Sequence, residues 1–179
     1  MAWVLHFNVS EYFSKGYEML HSVLRPSAYV LAPTNHGTMI INRFDYRQTP
    51  KGSYGVGFQL LNTQAFDPNE VKGVLELLNL RREHHGDGVV ALDLGANIGV
   101  HTIEWGRHMF GWGSVISVEA QKRIFYALAG NIALNNCFNV EAICAAVGAE
   151  DGLIQFPEPN YFQPASFGSF ELIESPNNE

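Results

Sequence analysis

Asp93, Gly95, Asn97 and Gly99 stand close together in "VVALDLGANIGVHTIEWG", residues 89–106, where an apolar run meets two glycines and then a helix-like segment. A strand that ends in a glycine turn and feeds a helix brings backbone N–H groups and strand-end side chains to one point, a common place for a ligand. The residue types narrow the ligand. A dinucleotide fingerprint reads G-x-G-x-x-G, and its middle glycine lets the backbone approach a pyrophosphate. Here no glycine occupies that spacing, and Asn97 brings a side chain into the area. Asp93 adds a carboxylate at the strand end. At about 5 Å and an effective dielectric near 20, it repels each pyrophosphate charge by roughly a few kcal/mol and attracts an ammonium or sulfonium by a similar amount.

S-adenosyl-L-methionine (SAM) carries both of those cations, plus a carboxylate suited to free N–H groups at a helix start. Asp93 therefore favours SAM over NAD. Glu119, closing the run "SVISVEA", stands where an acid accepts hydrogen bonds from both ribose hydroxyls, a feature NAD enzymes share. With His101 just inside the turn and Ala120 beside the second acid, the expected cofactor-binding set is Asp93, Gly95, Ala96, Asn97, Gly99, His101, Glu119 and Ala120. The plainer alternatives are a helix N-cap acid for Asp93 and an exposed strand-end acid for Glu119. No catalytic base is identifiable, and neither a G-x-S-x-G elbow nor a Cys-His pair is present.

The elements that position these residues follow from hydrophobic spacing. Phe13, Tyr17, Leu20 and Leu24 predict a first helix after Ser10, ending before Pro26, although Gly16 weakens it. "AYVLA" and "TMIINRF", joined by "PTNHG", predict two antiparallel strands. Asp67, Pro68 and Glu70 spell an acidic capping box, followed by an apolar stripe of Val71, Val74, Leu75 and Leu78, with Leu77 a further candidate. Gly86 is the expected stop. Strand Val89 to Leu94, a helix from about Ile98 to Phe110, strand "SVISVEA", a helix from about Lys122 to Leu134 and strand "VEAICAAVG" then alternate. Apolar runs joined by helices imply parallel strands covered on both faces. "GLIQF" and "SFEL" predict irregular β structure in the tail.

At this level the sequence resembles the FkbM-type SAM-dependent methyltransferases, a family of Rossmann-like class I enzymes. "LDLGANIGVHT", "SVEAQKRIFYALAGNIALNN" and "AAVGAEDG" carry the resemblance, which covers roughly residues 68 to 172. The first segment matches the D-x-G-A-N-x-G donor motif at Asp93, Gly95, Ala96, Asn97 and Gly99, and the second matches the acidic strand end and the Phe125, Leu128, Asn131, Leu134, Asn135 spacing after it. Gln121 departs from the family, which often has proline there. The resemblance implies a SAM-dependent O-methyltransferase acting on a hydroxyl of a saccharide or small metabolite. The alternatives are a non-catalytic SAM-binding fragment, an NAD-dependent oxidoreductase and a structural partner domain with a vestigial pocket.

Composition bounds the partners. A net charge of −7 argues against general nucleic-acid binding, which needs a basic face. "EPNY" at Glu158 to Tyr161 is only faintly like the tetrapeptide of base-methylating DNA enzymes. Tyr161, Phe162 and Phe167 serve either as a lid over the acceptor or as loop anchors packed on the sheet. The expectation is a cytoplasmic protein, since the N-terminus lacks a basic region ahead of its broken apolar stretch and no run suits a membrane span. Cys137 and Cys144 lack metal or redox spacing and are expected as free thiols. His101 and His108 lie about 10 Å apart along a helix axis, too far to share an ion, and no metal site is expected.

The expected fold class is α/β, a Rossmann-like class I methyltransferase sheet. Residues 1–66 form a helical and β extension, and residues 67–179 the SAM-binding domain. A sheet of this class sets a fourth strand beside the first, and relatives carry there a lysine-isoleucine-aspartate-valine-glutamate-glycine segment that is not found before Glu179. The sheet is thus expected to be incomplete at its C-terminal side, with an open edge on the first strand. A longer parent chain, the N-terminal strands or a second copy in a homo-oligomer would each cover that edge, and the first is favoured.

Overall fold

The computed structural model describes residues 27–150, 152–153 and 158–169. The first helix expected from Phe13 to Leu24 and the strand pieces "GLIQF" and "SFEL" fall wholly or mostly outside the described residues.

Strands β1 (Tyr29–Thr34) and β2 (Gly37–Asn42) form the expected antiparallel hairpin, in register from Tyr29 opposite Asn42 to Thr34 opposite Gly37. A second small hairpin, β3 (Arg47–Thr49) with β4 (Gly52–Tyr54), and helix α1 (Val56–Thr63) follow. Neither is apparent in the sequence. α1 begins at Gly55, which offers no capping side chain, and the missing cap comes from elsewhere: Asp45 Oδ2 accepts the Gly57 N–H at 3.0 Å.

Helix α2 spans Pro68–His85 and stops at Gly86, whose φ of 78° suits only the residue without a Cβ. Its start lies where expected, with Asp67 at the N-cap position and Pro68 as the first helical residue, but the capping bond itself is missing. Asp67 adopts a left-handed conformation (φ 38°) and its side chain caps nothing, so the first turn is held by its backbone carbonyl, which accepts the N–H groups of Glu70 and Val71. Of the apolar stripe, Val71 is buried and Leu78 packs with Val89, Met109, Trp112 and Val115, whereas Leu77 is 63% exposed.

β5 (Val89–Leu94), α3 (Val100–His108), β6 (Gly113–Val118), α4 (Lys122–Leu134) and β7 (Val140–Ile143) build a three-stranded parallel sheet in the order β5-β6-β7. The protein is therefore of the α/β class. Both crossovers step in the same direction across the sheet, and right-handed connections then put α3 and α4 on one face. For that reason the expectation of strands covered on both faces fails among the described residues. Val89 and Asp93 point into the covered side and are buried, while Val90, Leu92 and Leu94 point to the other side, each more than half exposed. The N-terminal strands do not close the β5 edge, because β1 and β2 pair only with each other.

Instead the hairpin docks on α4. Asn131, fully buried, accepts the Ile40 N–H at 2.6 Å and donates to the carbonyls of Ile40 (3.3 Å) and Ile98 (2.8 Å). Asn135, one turn later, donates to the Thr38 carbonyl at 2.9 Å. Met39 and Ile41 of β2, Leu60 of α1, Ile98, Ile103 of α3 and Ile124 of α4 share one apolar cluster, so residues ahead of α2 and the sheet helices bury their surfaces against each other.

Candidate functional site: a glycine turn between two buried acids

The turn from β5 into α3 is closed by its own hydrogen bonds. Gly95 and Ala96 donate their N–H groups to the Val118 carbonyl at 2.9 and 3.0 Å, and Gly99 donates to Ala96 at 2.8 Å. Asn97 N–H goes to Glu119 Oε2 at 3.0 Å, and the Asn97 side-chain oxygen takes the Ile98 N–H at 2.7 Å. All five N–H groups from Gly95 to Gly99 are thus used within the protein. A pyrophosphate needs such groups turned towards it, and this turn offers none.

Two acids flank the turn. Asp93, only 7% exposed at the end of β5, accepts the Thr102 hydroxyl at 2.5 Å. The plainer alternative of a helix N-cap acid does not describe it: the N-cap position of α3 is Gly99, six residues further on. Burial pushes its carboxyl above the usual 3.8, with the Thr102 hydroxyl and nearby His101 pulling the other way. Glu119, 5% exposed just past β6, accepts the N–H of Gln121 at 2.7 Å as well as that of Asn97. It is a buried acid, not the exposed strand end of the plainer alternative. Its carboxyl is likewise raised, chiefly by burial and further by the Asp93 charge, against those backbone donors. Among the described residues neither acid is paired with a lysine or arginine.

Two chambers open beside the turn. The first, about 360 Å³, is lined by Gly95, Asn97, Glu119, Ala120, Gln121 and residues 145–147. The second, about 230 Å³, is lined by Asp93, Ala96, His101, Val56, Phe66 and Val100, among others. Gly95, Asn97 and Gly168 belong to both walls. Gly95 has φ 81° and nothing within 4 Å of where a Cβ would stand, so its missing side chain leaves room in the cleft. Seven of the eight residues expected from sequence line one chamber or the other. The exception is Gly99, whose added Cβ would lie 2.5 Å from Leu128 Cδ1; it lets α3 and α4 pack closely and does not face a ligand.

Sequence reasoning missed the far wall. Gly168 reaches both chambers because the segment around it is tied down by distant residues: Asp45 Oδ1 accepts the Phe167 N–H at 3.0 Å and Gln121 Nε2 donates to the Phe167 carbonyl at 2.7 Å. Tyr161 and Phe167 are buried, their rings 4.9 Å apart, and so act as anchors; Phe162 is exposed. Gln121, a departure by family pattern, earns its place through this tie.

Cys137 is buried, Cys144 exposed, and both are free. Among the described residues no group of three or more His, Cys, Asp and Glu gathers as a metal site would, and no helix is long and apolar enough to cross a membrane.

No protein-family model matches the chain, and no curated protein matches it in sequence. Two solved structures are similar in part. Trm5b from Pyrococcus abyssi gives a TM-score of 0.44 at 16% identity, over 68% of this chain and 29% of that one. A SAM-dependent methyltransferase from Aquifex aeolicus gives 0.32 at 20% identity, over 45% of this chain and 48% of that one. The chain thus spans less than half the length of either. Likenesses this distant decide neither fold nor ligand, which rest on the strand register and on the residues at the turn.

Proposed function

We propose that this chain binds SAM and belongs to a SAM-dependent methyltransferase of the FkbM type, transferring a methyl group to a hydroxyl on a saccharide or small metabolite. One observation carries the reading: two buried carboxylates, without a lysine or arginine partner among the described residues, border a glycine turn that has no spare N–H for a phosphate. Buried acids held this way are stabilised by a cationic ligand.

When bound, SAM supplies a methyl group already activated by its positive sulfur. The residues then have three tasks. Asp93 takes the ammonium, directly or through water. Glu119, fixed by two backbone donors, accepts from the ribose hydroxyls with its remaining lone pairs. Gly95 keeps the floor of the cleft clear, and the Gly168 segment narrows the way in for water. Asn97 and Ala96 support the turn and Ala120 the nucleoside side. The acidic net charge favours a small acceptor over a nucleic acid.

Calorimetry with SAM, S-adenosylhomocysteine and NAD tests the binding half. SAM and its product should bind, and NAD should not. Tight NAD binding with indifference to SAM would reject the reading in favour of an oxidoreductase. Transfer of tritium from methyl-labelled SAM to a panel of hydroxyl compounds tests the catalytic half. Binding without any transfer would leave a SAM-binding fragment.

A further inference from the structure

His36 stands in the two-residue turn that joins β1 to β2, where side chains ordinarily point into water, yet it is only 4% exposed. Its ring ties that turn to two other segments. Nδ1 lies 2.9 Å from Glu104 Oε1 on α3, and Nε2 accepts the Phe66 N–H at 3.0 Å in the link between α1 and α2. These partners fix the protonation. Nε2 has to be bare to accept from an N–H, so the neutral ring carries its one proton on Nδ1 and donates it to the carboxylate. The backbone beside it makes a parallel tie: the Asn35 N–H donates at 2.8 Å to the carbonyl of Gln64, which ends α1 in a left-handed conformation. Phe66, the residue so held, is a wall of the second chamber, the one that Asp93 lines. Its ring meets His101, another lining residue, edge-on at 6.3 Å.

We infer that His36 is a positioning residue for the methyl donor: its bare Nε2 holds the Phe66 wall against the chamber that receives the methionine part of SAM, and a second proton on the ring releases that wall. This rests on the SAM reading and adds to it a control by pH. A protonated ring has an N–H at both nitrogens, so Nε2 sets a donor against the Phe66 donor and one of the two must turn away. Glu104 keeps its hold on Nδ1 in either state, so the wall is the side that yields. The Phe66 N–H is then left without its acceptor and moves to find one in water. Glu104 is joined at this junction by Arg107, whose Nη1 stands 3.9 Å from the same oxygen, by His101 on the Phe66 ring, and by Asp67, next in the chain. None of these takes the place of the lost acceptor without a rearrangement, because Nε2 alone receives the Phe66 N–H.

Two substitutions in the full chain divide the ring's roles. His36→Gln sets an oxygen near the Nε2 position, which keeps an acceptor for Phe66 and cannot gain a proton. His36→Asn sets its amide near the Nδ1 position and serves Glu104 alone. In the unliganded wild type, the Phe66 amide and the His36 ring should titrate together by NMR between about pH 8 and about pH 5, where histidine takes up its second proton. Protection of that amide from hydrogen exchange should fall at least about tenfold over the same range. Both changes should be absent in His36→Gln, which retains His101 and the carboxylates at the turn. Calorimetry at the alkaline end should find SAM affinity within about twofold of wild type for His36→Gln and weaker by about fivefold or more for His36→Asn. Towards the acid end the wild type should lose about fivefold more affinity than His36→Gln. A ring with a merely structural role would lower both variants alike. A Phe66 amide indifferent to the ring's titration, equal SAM affinities in the two variants, or an unaltered pH profile in His36→Gln would each overturn the inference and leave the SAM reading standing. Should His36→Asn fail to fold, the wild-type titration and the His36→Gln profile decide alone. If SAM does not bind the wild type at any pH, the SAM reading falls and this one with it.

Discussion

Glu119 accepts the backbone N–H of Asn97 at 3.0 Å, so the acid that ends β6 braces the glycine turn that follows β5. One carboxylate thereby performs two tasks, shaping the turn and facing the first chamber. Hydrogen bonds to a charged group contribute about 1.5–3 kcal/mol each. Glu119→Gln keeps an oxygen for one backbone donor but sets an NH₂ against the other. SAM affinity should fall about 10- to 100-fold by calorimetry, accompanied by exchange broadening of the Asn97 amide. An unmoved Asn97 amide would show that the brace is unimportant.

Asp93 and Glu119 also set a pH dependence. Burial holds both carboxyls above their ordinary values, so the folded state keeps its protons to higher pH than the unfolded one. Without ligand, their contribution is most favourable at low pH and is lost as pH rises from the ordinary carboxylate range through the raised values. A cationic ligand prefers the ionised acids, so the gain in Tm on adding SAM should grow across that same window and then level off. A SAM-induced gain that shrinks with rising pH contradicts this.

Asp93→Asn removes the charge but leaves an oxygen for the Thr102 hydroxyl. The unliganded variant should melt at or above the wild-type temperature at neutral pH, because no buried charge remains to be desolvated. Its affinity for SAM should drop by about tenfold or more. Unchanged affinity would remove Asp93 from the site.

Gly95 and Gly99 should separate cleanly. Both have positive φ, 81° and 90°, so alanine at either costs about 1–2 kcal/mol in backbone strain. Only at Gly99 does the added methyl collide, with Leu128, for about 1–3 kcal/mol more. Gly99→Ala should therefore lower the denaturation midpoint further than Gly95→Ala. Gly95→Ala should weaken SAM the more, since its methyl enters the cleft.

Asn131→Leu should be the most destabilising of these changes. It strands the half-buried Ile40 N–H and the buried Ile98 carbonyl, at about 1–3 kcal/mol for the buried group and less for the other. Urea denaturation should show a lower midpoint with an unchanged slope.

The sequence by itself determined the parallel unit and its acids. Val89–Leu94 and Lys122–Leu134 lie where periodicity puts them, because their apolar spacing and their stops are local. Asp93 and Glu119 were legible because strand ends converge in any such unit. Tertiary structure alone decided three other things. Helix Val56–Thr63 is capped by Asp45, twelve residues before the Gly57 whose N–H it accepts, so nothing adjacent announces it. Asp67 has the cap residue type, yet its left-handed backbone turns the side chain away. The chamber walls at Val56, Phe66 and Gly168 come from segments linked to the turn only through long-range contacts. Periodicity reports what one stretch of chain prefers; a cavity is the space left between stretches, and its shape exists only once they have packed.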